Sequence, residues 1–163
     1  MIDAPRLDRQ VCFALYSASR AATAVYRPIL EQLGLTYPQY LVMLVLWEEA
    51  PRGVKELGEE LGLDSGTLSP LLKRLEGLGL VDRRRSAEDE RRVAVHLSDA
   101  GQALSGKAAG IPQHLAAAAG LTAAEIDQLR ETLGRLTAAL HSSHAPHEGA
   151  DEVHFQSNRT GSN

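Results

Sequence analysis

The N-terminal fifth of the chain carries an apolar stripe with the period of an α-helix. Apolar residues recur there at spacings of three or four, which is typical of one face of an amphipathic helix. The stripe predicts a helix over about residues 7–33, with Pro28 kinking or restarting it and Gly34 as its C-cap. The residues of the stripe are Leu7, Val11, Leu15, Ala18, Ala22, Val25 and Ile29.

A second, more apolar helix follows. Thr36 with Pro38 two residues later indicates a helix N-terminus, and the run "YPQYLVMLVLWEEA" continues it to a break at residues 51–53. Trp47 falls within this run and is expected in the core.

Two short helices separated by a tight turn are predicted next. Leu57 and Leu61 mark the first helix, which ends at Gly62. Asp64 and Ser65 are good caps for the second, whose apolar residues continue to Gly79. Two short helices joined in this way form a helix-turn-helix.

The period changes to two after this pair. Val93, Val95 and Leu97 alternate with other residues, and an acidic turn separates two arginine clusters. This pattern predicts a β-hairpin, or wing. The five arginines and three acids of residues 83–92 give a local charge of +2.

The C-terminal third is predicted to be helical and then disordered. Residues 98–119 are Ala-rich, and Thr122 with Glu125 forms the capping box of a last helix whose stripe is Leu129, Leu133, Leu136 and Leu140. Residues 142–163 are polar and aperiodic, which favours a disordered tail. Histidines in and beside the tail could suggest a metal site, but solvated disorder is the preferred interpretation, and no metal or cofactor is expected: His141, His144, His147 and His154.

Composition limits the class of protein. The 163 residues are 44% apolar, with a net charge of −4 and an isoelectric point near 5.9, so any basic surface must be local. A single cysteine, Cys12, excludes an internal disulfide. Without a signal-like N-terminus or a long apolar run, we expect a cytoplasmic protein that does not enter the membrane.

The fold class expected is therefore mainly α with a small β-wing, a winged helix-turn-helix. Such proteins place the second helix in the major groove of DNA, while the wing reaches phosphates or the minor groove. Short polar and basic side chains lie at suitable positions on both elements. The candidate DNA contacts are Ser65, Thr67, Ser69, Lys73, Arg74, Arg83, Arg84, Arg85, Arg91 and Arg92.

The run "LDSGTLSPLLKRLEGLGLVDRRRSAEDERRVAVHLSDAG" resembles the MarR family of winged-helix regulators. The match is strongest where Asp89, Arg91, Val95, Leu97, Ser98 and Gly101 give the pattern D-x-R-x-x-x-V-x-L-S-x-x-G. Asp89 would hold Arg91 at the tip of the wing.

The resemblance covers about residues 7–141. It implies a domain over residues 1–141, with a DNA-binding core at about 37–97 between interlocking dimerisation helices at about 7–33 and 98–141. It also implies a homodimer, whose two-fold symmetry predicts a pseudo-palindromic DNA operator.

The run "CFALYSASRAATAVYRPILEQLGLTYPQYLVMLVLWE" is similar, within that family, to regulators of organic hydroperoxide resistance. These are repressors that leave DNA when a hydroperoxide oxidises an N-terminal cysteine. The resemblance assigns that cysteine to Cys12 and its two hydrogen-bonding tyrosines to Tyr26 and Tyr37. Tyr16, one turn after Cys12, and Phe13 would help to shape the pocket.

Helix geometry adds a condition to this assignment. Cys12 and Tyr26 are 14 residues apart on one predicted helix, which separates them by about 21 Å. The two side chains can meet only if Tyr26 comes from the other subunit.

The chemistry expected at Cys12 is oxidation of a thiolate to sulfenic acid. Because the chain has no second cysteine, a mixed disulfide with a low-molecular-weight thiol, or over-oxidation, would be the lasting product. Two alternatives remain at this point: a MarR-type repressor released by a non-redox phenolic ligand, and a thiol peroxidase. The second is weaker, because no resolving cysteine is present and much of the chain forms a DNA-reading module, so an enzyme is not expected.

Overall fold

The fold is taken from a computed structural model that describes residues 6–85 and 92–143. The chain divides into two compact units, residues 1–120 and residues 121–163, and each is described by itself.

The first unit has six α-helices and three β-strands within its described residues. The helices are α1 (Val11–Gln32), α2 (Tyr37–Glu48), α3 (Val54–Leu61), α4 (Ser65–Gly77), α5 (Asp99–Ala108) and α6 (Ile111–Ala119). The strands are β1 (Arg52–Gly53), β2 (Val81–Arg85) and β3 (Val93–Leu97).

The first helix is shorter than predicted at its N-terminus. Leu7–Arg9 forms a 3₁₀ turn, Gln10 is extended, and α1 begins at Val11. Leu7 and Val11 are both largely exposed within the chain, so no contact with the core stabilises an extension of α1 through this turn. The predicted restart at Pro28 is also wrong, since α1 continues through it to Gln32. Gly34, in the left-handed conformation, follows the end of the helix as predicted.

The core is centred on α2. This helix packs against α1, α3, α4, α5 and β3. Its start is fixed by Gln39, whose Oε1 accepts a hydrogen bond from the Thr36 backbone N–H at 2.8 Å. The almost fully buried apolar side chains of the core that come from α1, α2, α3, α4 and α6 are Leu30, Val42, Met43, Leu46, Leu57, Leu68, Leu72, Leu75 and Ile111.

The three strands form an antiparallel sheet in the order β1-β3-β2. Residue pairs Val81–Leu97 and Arg85–Val93 define the predicted wing. The sequence indicated only a break at residues 51–53, but Arg52 lies opposite Val95 and makes this segment a strand. A two-residue strand exists only through pairing with a distant segment, so local pattern does not reveal it.

The predicted helical segment at residues 98–119 is two helices. α5 ends at Ala108 and α6 begins at Ile111, with Ala109 and Gly110 between them. Pro112 is the second residue of α6. Because proline lacks a backbone N–H, it favours the first turn of a new helix over the interior of a continuous one.

A junction formed by Gly79, Leu80, Ser98 and Gly101 connects the wing to α5. The Ser98 N–H donates to the Leu80 carbonyl at 3.1 Å, and its hydroxyl donates to the Gly79 carbonyl at 2.6 Å. The same hydroxyl accepts from the Gly101 N–H at 3.0 Å, and the Trp47 indole N–H donates to the Gly101 carbonyl at 2.9 Å. A Cβ atom on Gly101 would overlap the Leu80 carbonyl oxygen.

In the second unit, the described residues contain one long helix, α7 (Ala123–Ser143). The predicted capping box is confirmed, because Glu125 Oε2 accepts hydrogen bonds from the Thr122 N–H and hydroxyl at 2.8 and 2.7 Å. The helix includes Ser142 and Ser143, which the sequence assigned to the tail. The rest of the predicted tail lies outside the described residues.

Candidate DNA interface and sensor site

The turn between α3 and α4 is fixed by Gly62 and Asp64. Gly62 ends α3 in the left-handed conformation. Asp64 then caps α4, with Oδ1 accepting from the Thr67 N–H at 2.9 Å and Oδ2 from the Thr67 hydroxyl at 3.1 Å. The bond from the Thr67 N–H, and to a smaller extent the bond from its hydroxyl, lower the pKa of Asp64. The capping carboxylate is therefore fully charged at neutral pH. This turn sets the direction in which α4 leaves α3.

The predicted DNA-contacting residues of α4 are all at the surface. Ser65, Thr67 and Ser69 are exposed in its first turns, and Lys73 and Arg74 are exposed further along. The Thr67 hydroxyl is already bonded to Asp64, so Thr67 supports the helix end as well as facing solvent.

An open groove of about 820 Å³ brings predicted residues of α4 and the wing together. Ser65 and Ser69 lie on one side of it, and Arg83 and Arg92 belong to its lining from the wing. The helix-turn-helix and the base of the wing thus form one continuous surface.

The arginines of the wing have different surroundings. Arg84, Arg85 and Arg92 are exposed, and Arg84 Nη2 lies 3.4 Å from Asp82 Oδ2. The predicted tip residues, Asp89 and Arg91, lie outside the described residues.

Arg83, in contrast, is bound to α4. Its guanidinium meets Glu76 Oε2 through Nε at 2.7 Å and Nη2 at 2.6 Å, and its backbone N–H donates to Oε1 at 3.1 Å. The Arg83 guanidinium lowers the pKa of the Glu76 carboxyl. No local sequence pattern indicates this pair, because its members are seven positions apart and lie in different elements.

Cys12 is the second residue of α1 and is exposed. Phe13 and Tyr16, which were predicted to shape the sensor pocket, are also exposed to solvent in the single chain. Tyr16 has Arg20 for a neighbour: the guanidinium lies 5.5 Å from the ring centroid and donates to the phenolic oxygen at 3.3 Å.

Tyr26 and Tyr37 are brought together. Their rings stack with centroids 5.4 Å apart, although one lies in α1 and the other at the start of α2. Burial, and then the neighbouring Tyr37, raises the pKa of Tyr26, which keeps its phenol protonated at neutral pH. Within residues 6–85 and 92–143 neither hydroxyl has a hydrogen-bond partner.

Tyr40 joins Tyr26 and Tyr37 in a cluster of three tyrosines, and its part in it was not predicted from the sequence. Its ring lies 6.3 Å from that of Tyr26 and 6.4 Å from that of Tyr37, and burial raises its pKa. Its position one helical turn after Tyr37 was a signal that could have placed both on one face of α2. The rings of Trp47 and Tyr40 have centroids 6.3 Å apart, and Trp47, which the sequence placed in the core, is partly buried and packs against the core.

Cys12 is not part of this cluster in the single chain. α1 contains both Cys12 and Tyr26 without interruption, so the separation of about 21 Å along the helix stands. Since Tyr37 stacks on Tyr26, it too is far from the cysteine of its own chain.

Two other kinds of site were tested in the part of the chain that the structure describes. It contains no group of three side chains able to hold a metal ion. The histidines at 144, 147 and 154 lie outside that part. No single helix there is long and apolar enough to cross a membrane; α1 and α2 meet that length and composition only as a pair, bent by 73°.

Comparison with known proteins identifies the family. The family model for the transcriptional regulators SarA/Rot, which have a MarR-like winged helix, matches residues 24–107. The organic hydroperoxide resistance transcriptional regulator of Bacillus subtilis is 45% identical over 139 residues, which cover 85% of this chain and 95% of that protein. The chain belongs to the SarA/Rot family of MarR-type regulators.

Solved structures agree with this MarR-type assignment. Reduced AbfR bound to DNA is 36% identical, with a TM-score of 0.71 over 86% of this chain and 97% of AbfR, a protein of Staphylococcus epidermidis. Overoxidized AbfR bound to DNA is 37% identical, with a TM-score of 0.68 over 83% and 95% of the two chains. The predicted winged helix-turn-helix is thereby confirmed, and the chain is a DNA-binding transcriptional regulator.

Proposed function

We propose that this MarR-type regulator is a homodimeric repressor that leaves its operator when an organic hydroperoxide oxidises Cys12. The observation that carries the proposal is the stacked pair Tyr26–Tyr37, whose two hydroxyls have no partner within the described residues. Tyr26 is buried and Tyr37 is half-buried, and phenolic O–H groups that are not used within the chain are available to donate hydrogen bonds to an anion.

The anion in this proposal is the Cys12 thiolate of the partner subunit. Distance along α1 excludes the cysteine of the same chain, and Cys12 lies exposed in the first turn, where the helix dipole favours negative charge. Each sensor site would therefore combine one cysteine with two tyrosines from the other chain. The similarity to the hydroperoxide resistance regulator of Bacillus subtilis supports this interpretation.

The reaction follows from these groups. The Cys12 thiolate attacks the terminal oxygen of the hydroperoxide, the O–O bond breaks, and the alkoxide that leaves takes a proton to become an alcohol. The product at Cys12 is a sulfenic acid. With one cysteine in the chain, a low-molecular-weight thiol then condenses with the sulfenic acid, giving a mixed disulfide and water.

Overoxidized AbfR was solved bound to DNA. For that protein, the overoxidized form is thus compatible with a DNA complex. We therefore assign operator release in this chain to the mixed disulfide, which adds a bulky group between the subunits.

Gel shifts with the upstream region of the protein's own gene test this proposal. Wild type and Cys12→Ser are treated with cumene hydroperoxide, with and without added cysteine, and the mass of each protein is recorded. We expect release only for wild type with both reagents, together with the mass of one cysteine adduct. Equal release of Cys12→Ser would exclude Cys12 as the sensor and favour a non-redox ligand. Multiple turnover of peroxide would instead indicate a thiol peroxidase.

A further inference from the structure

The pair Glu76–Arg83 is the point at which the wing is tied to the helix that reads DNA. Glu76 lies in the last turn of α4, and Arg83 is the third residue of β2. Three contacts of 2.6 to 3.1 Å join them, and both side chains are about one-third exposed. Two guanidinium nitrogens thus share Oε2 while the backbone N–H holds Oε1, and charge-assisted bonds of this kind are stronger than neutral hydrogen bonds.

The pair acts where the strand has already left the core. Val81 is buried, but residues 82–85 are all exposed. Side chains alternate along a strand, so Val81 and Arg83 share the face towards α4, while Asp82 and Arg84 lie on the other. Glu76 thus extends the attachment of β2 two residues beyond the core.

We propose that Glu76 is a positioning residue for DNA binding, which acts by holding Arg83 and the wing in a fixed position against α4. Arg83 then serves mainly as the partner of Glu76, and Arg84, on the other face of β2, is the arginine expected to meet a phosphate. The inference rests on DNA binding alone and is independent of any redox role of Cys12.

This proposal reverses the simple electrostatic expectation. DNA is a polyanion, so removing a carboxylate near the binding surface should strengthen binding. If Glu76 positions the wing, its neutral form weakens binding instead, because the wing loses the orientation that its phosphate contacts require. Whether neutralising Glu76 strengthens or weakens DNA binding therefore distinguishes simple charge repulsion from positioning of the wing.

The variant Glu76→Gln and the control Asp82→Asn make this test. Each removes one carboxylate near the base of the wing, but Asp82 lies on the opposite face of β2 and meets Arg84 only at 3.4 Å. Affinity is measured with reduced protein and a DNA duplex that wild type selects from a random library. We expect Glu76→Gln to bind roughly tenfold more weakly, the loss of about one charge-assisted bond. We expect Asp82→Asn to bind as tightly as wild type or more tightly.

Salt dependence distinguishes positioning from phosphate contact. Loss of a phosphate contact lowers the slope of log affinity against log salt by about 1, which is the result expected for Arg84→Ala. Glu76→Gln should keep the wild-type slope while its affinity falls. Binding by Glu76→Gln as tight as that of wild type, or tighter, would overturn the proposal.

A double-mutant cycle keeps the proposal testable if Glu76→Gln also lowers the melting temperature. Arg83→Gln should weaken binding by about as much as Glu76→Gln, and the double variant should be no weaker than either alone. Exchanging the charges, Glu76→Arg with Arg83→Glu, should restore part of the affinity. Additive losses, or a folded exchange variant that binds no better than Glu76→Gln, would show that the pair does not position the wing.

Discussion

Gly101 shows how one residue without a side chain holds several elements together. Its N–H bonds to the Ser98 hydroxyl, its carbonyl accepts from Trp47, and the Leu80 carbonyl occupies the space where a side chain would begin. The small residue is therefore required by close approach of two backbones. This explains in physical terms why serine and glycine stand three residues apart after the wing.

Gly101→Ala should lower the free energy of unfolding by about 1–3 kcal/mol, because the added methyl group forces α5 and Leu80 apart. Chemical denaturation measures the change. Gly106→Ala is the matched control, since Gly106 lies in the same helix with open space around it. That variant should gain about 0.5–1 kcal/mol from the better helix propensity of alanine. Equal effects of the two variants would contradict the close contact at Gly101.

Tyr26→Phe should slow the oxidation of Cys12 by cumene hydroperoxide roughly tenfold, if its hydroxyl donates to the partner's thiolate. The rate is followed by thiol titration or mass. Tyr40→Phe is the control, because Tyr40 belongs to the same cluster and is 3% exposed against 9% for Tyr26. Because Tyr40 is not assigned to the proposed sensor site, removing its hydroxyl should leave the oxidation rate unchanged. A Tyr26→Phe rate equal to wild type would remove Tyr26 from the proposed site.

At the scale of elements, α4 depends on the charge of its cap. The pKa of Asp64 is lowered in the folded protein by the Thr67 N–H and hydroxyl. A lowered pKa means that the folded state binds the proton less readily than the unfolded state. The stabilisation is therefore complete above the unfolded pKa of about 3.9 and is lost as pH falls through the folded value.

Asp64→Asn should make stability less sensitive to acid. Asparagine keeps an acceptor for the Thr67 N–H but does not titrate in this range. Melting temperatures from pH 6 to about pH 3 should fall more steeply for wild type than for the variant. Parallel profiles would show that the cap is not a source of the acid sensitivity.

Local patterns predicted most elements, and the exceptions have common physical causes. Gly34, Gly62 and the Thr122–Glu125 box act within a few residues, so their effects are visible in sequence. β1 forms only by pairing with β3, and the 3₁₀ turn at Leu7–Arg9 reflects the lack of a buried surface within the chain. A distant contact decided the first case, and the absence of one decided the second.

The candidate sites divide in the same way. The exposed positions of α4 follow from helical periodicity, and the distance of Cys12 from Tyr26 follows from helix rise. The stacking of Tyr26 on Tyr37 and the bond between Glu76 and Arg83 join separate elements. Neither contact has a spacing that could be recognised before the elements are assembled.

For the whole molecule, the second unit leaves an apolar stripe uncovered. None of the residues of α7 is fully buried, and Leu129 and Leu140 are about half exposed. A stripe of this kind on a helix of 21 residues is suited to packing against another helix. We infer that it contributes to the proposed homodimer.

Leu133→Glu should therefore shift the protein towards monomer, since a carboxylate in an apolar interface is costly to desolvate. Sedimentation at several concentrations measures the equilibrium, and operator affinity should fall in parallel. Ala138→Glu places the same charge on the opposite side of α7 and should leave the dimer intact. Unchanged sedimentation of Leu133→Glu would exclude this stripe from the dimer interface.

Trp47 gives the molecule an internal optical reporter. It is the only tryptophan of the chain, its ring packs against Tyr40, and Tyr40 in turn neighbours Tyr26. Its indole N–H donates to the carbonyl of Gly101, in the first turn of α5 where that helix follows the wing. The fluorescence of this indole therefore depends both on the tyrosine cluster and on the junction that connects the wing to α5. A change in the tyrosine cluster or in the junction below the wing can therefore be followed in unlabelled protein, in real time and in the presence of DNA.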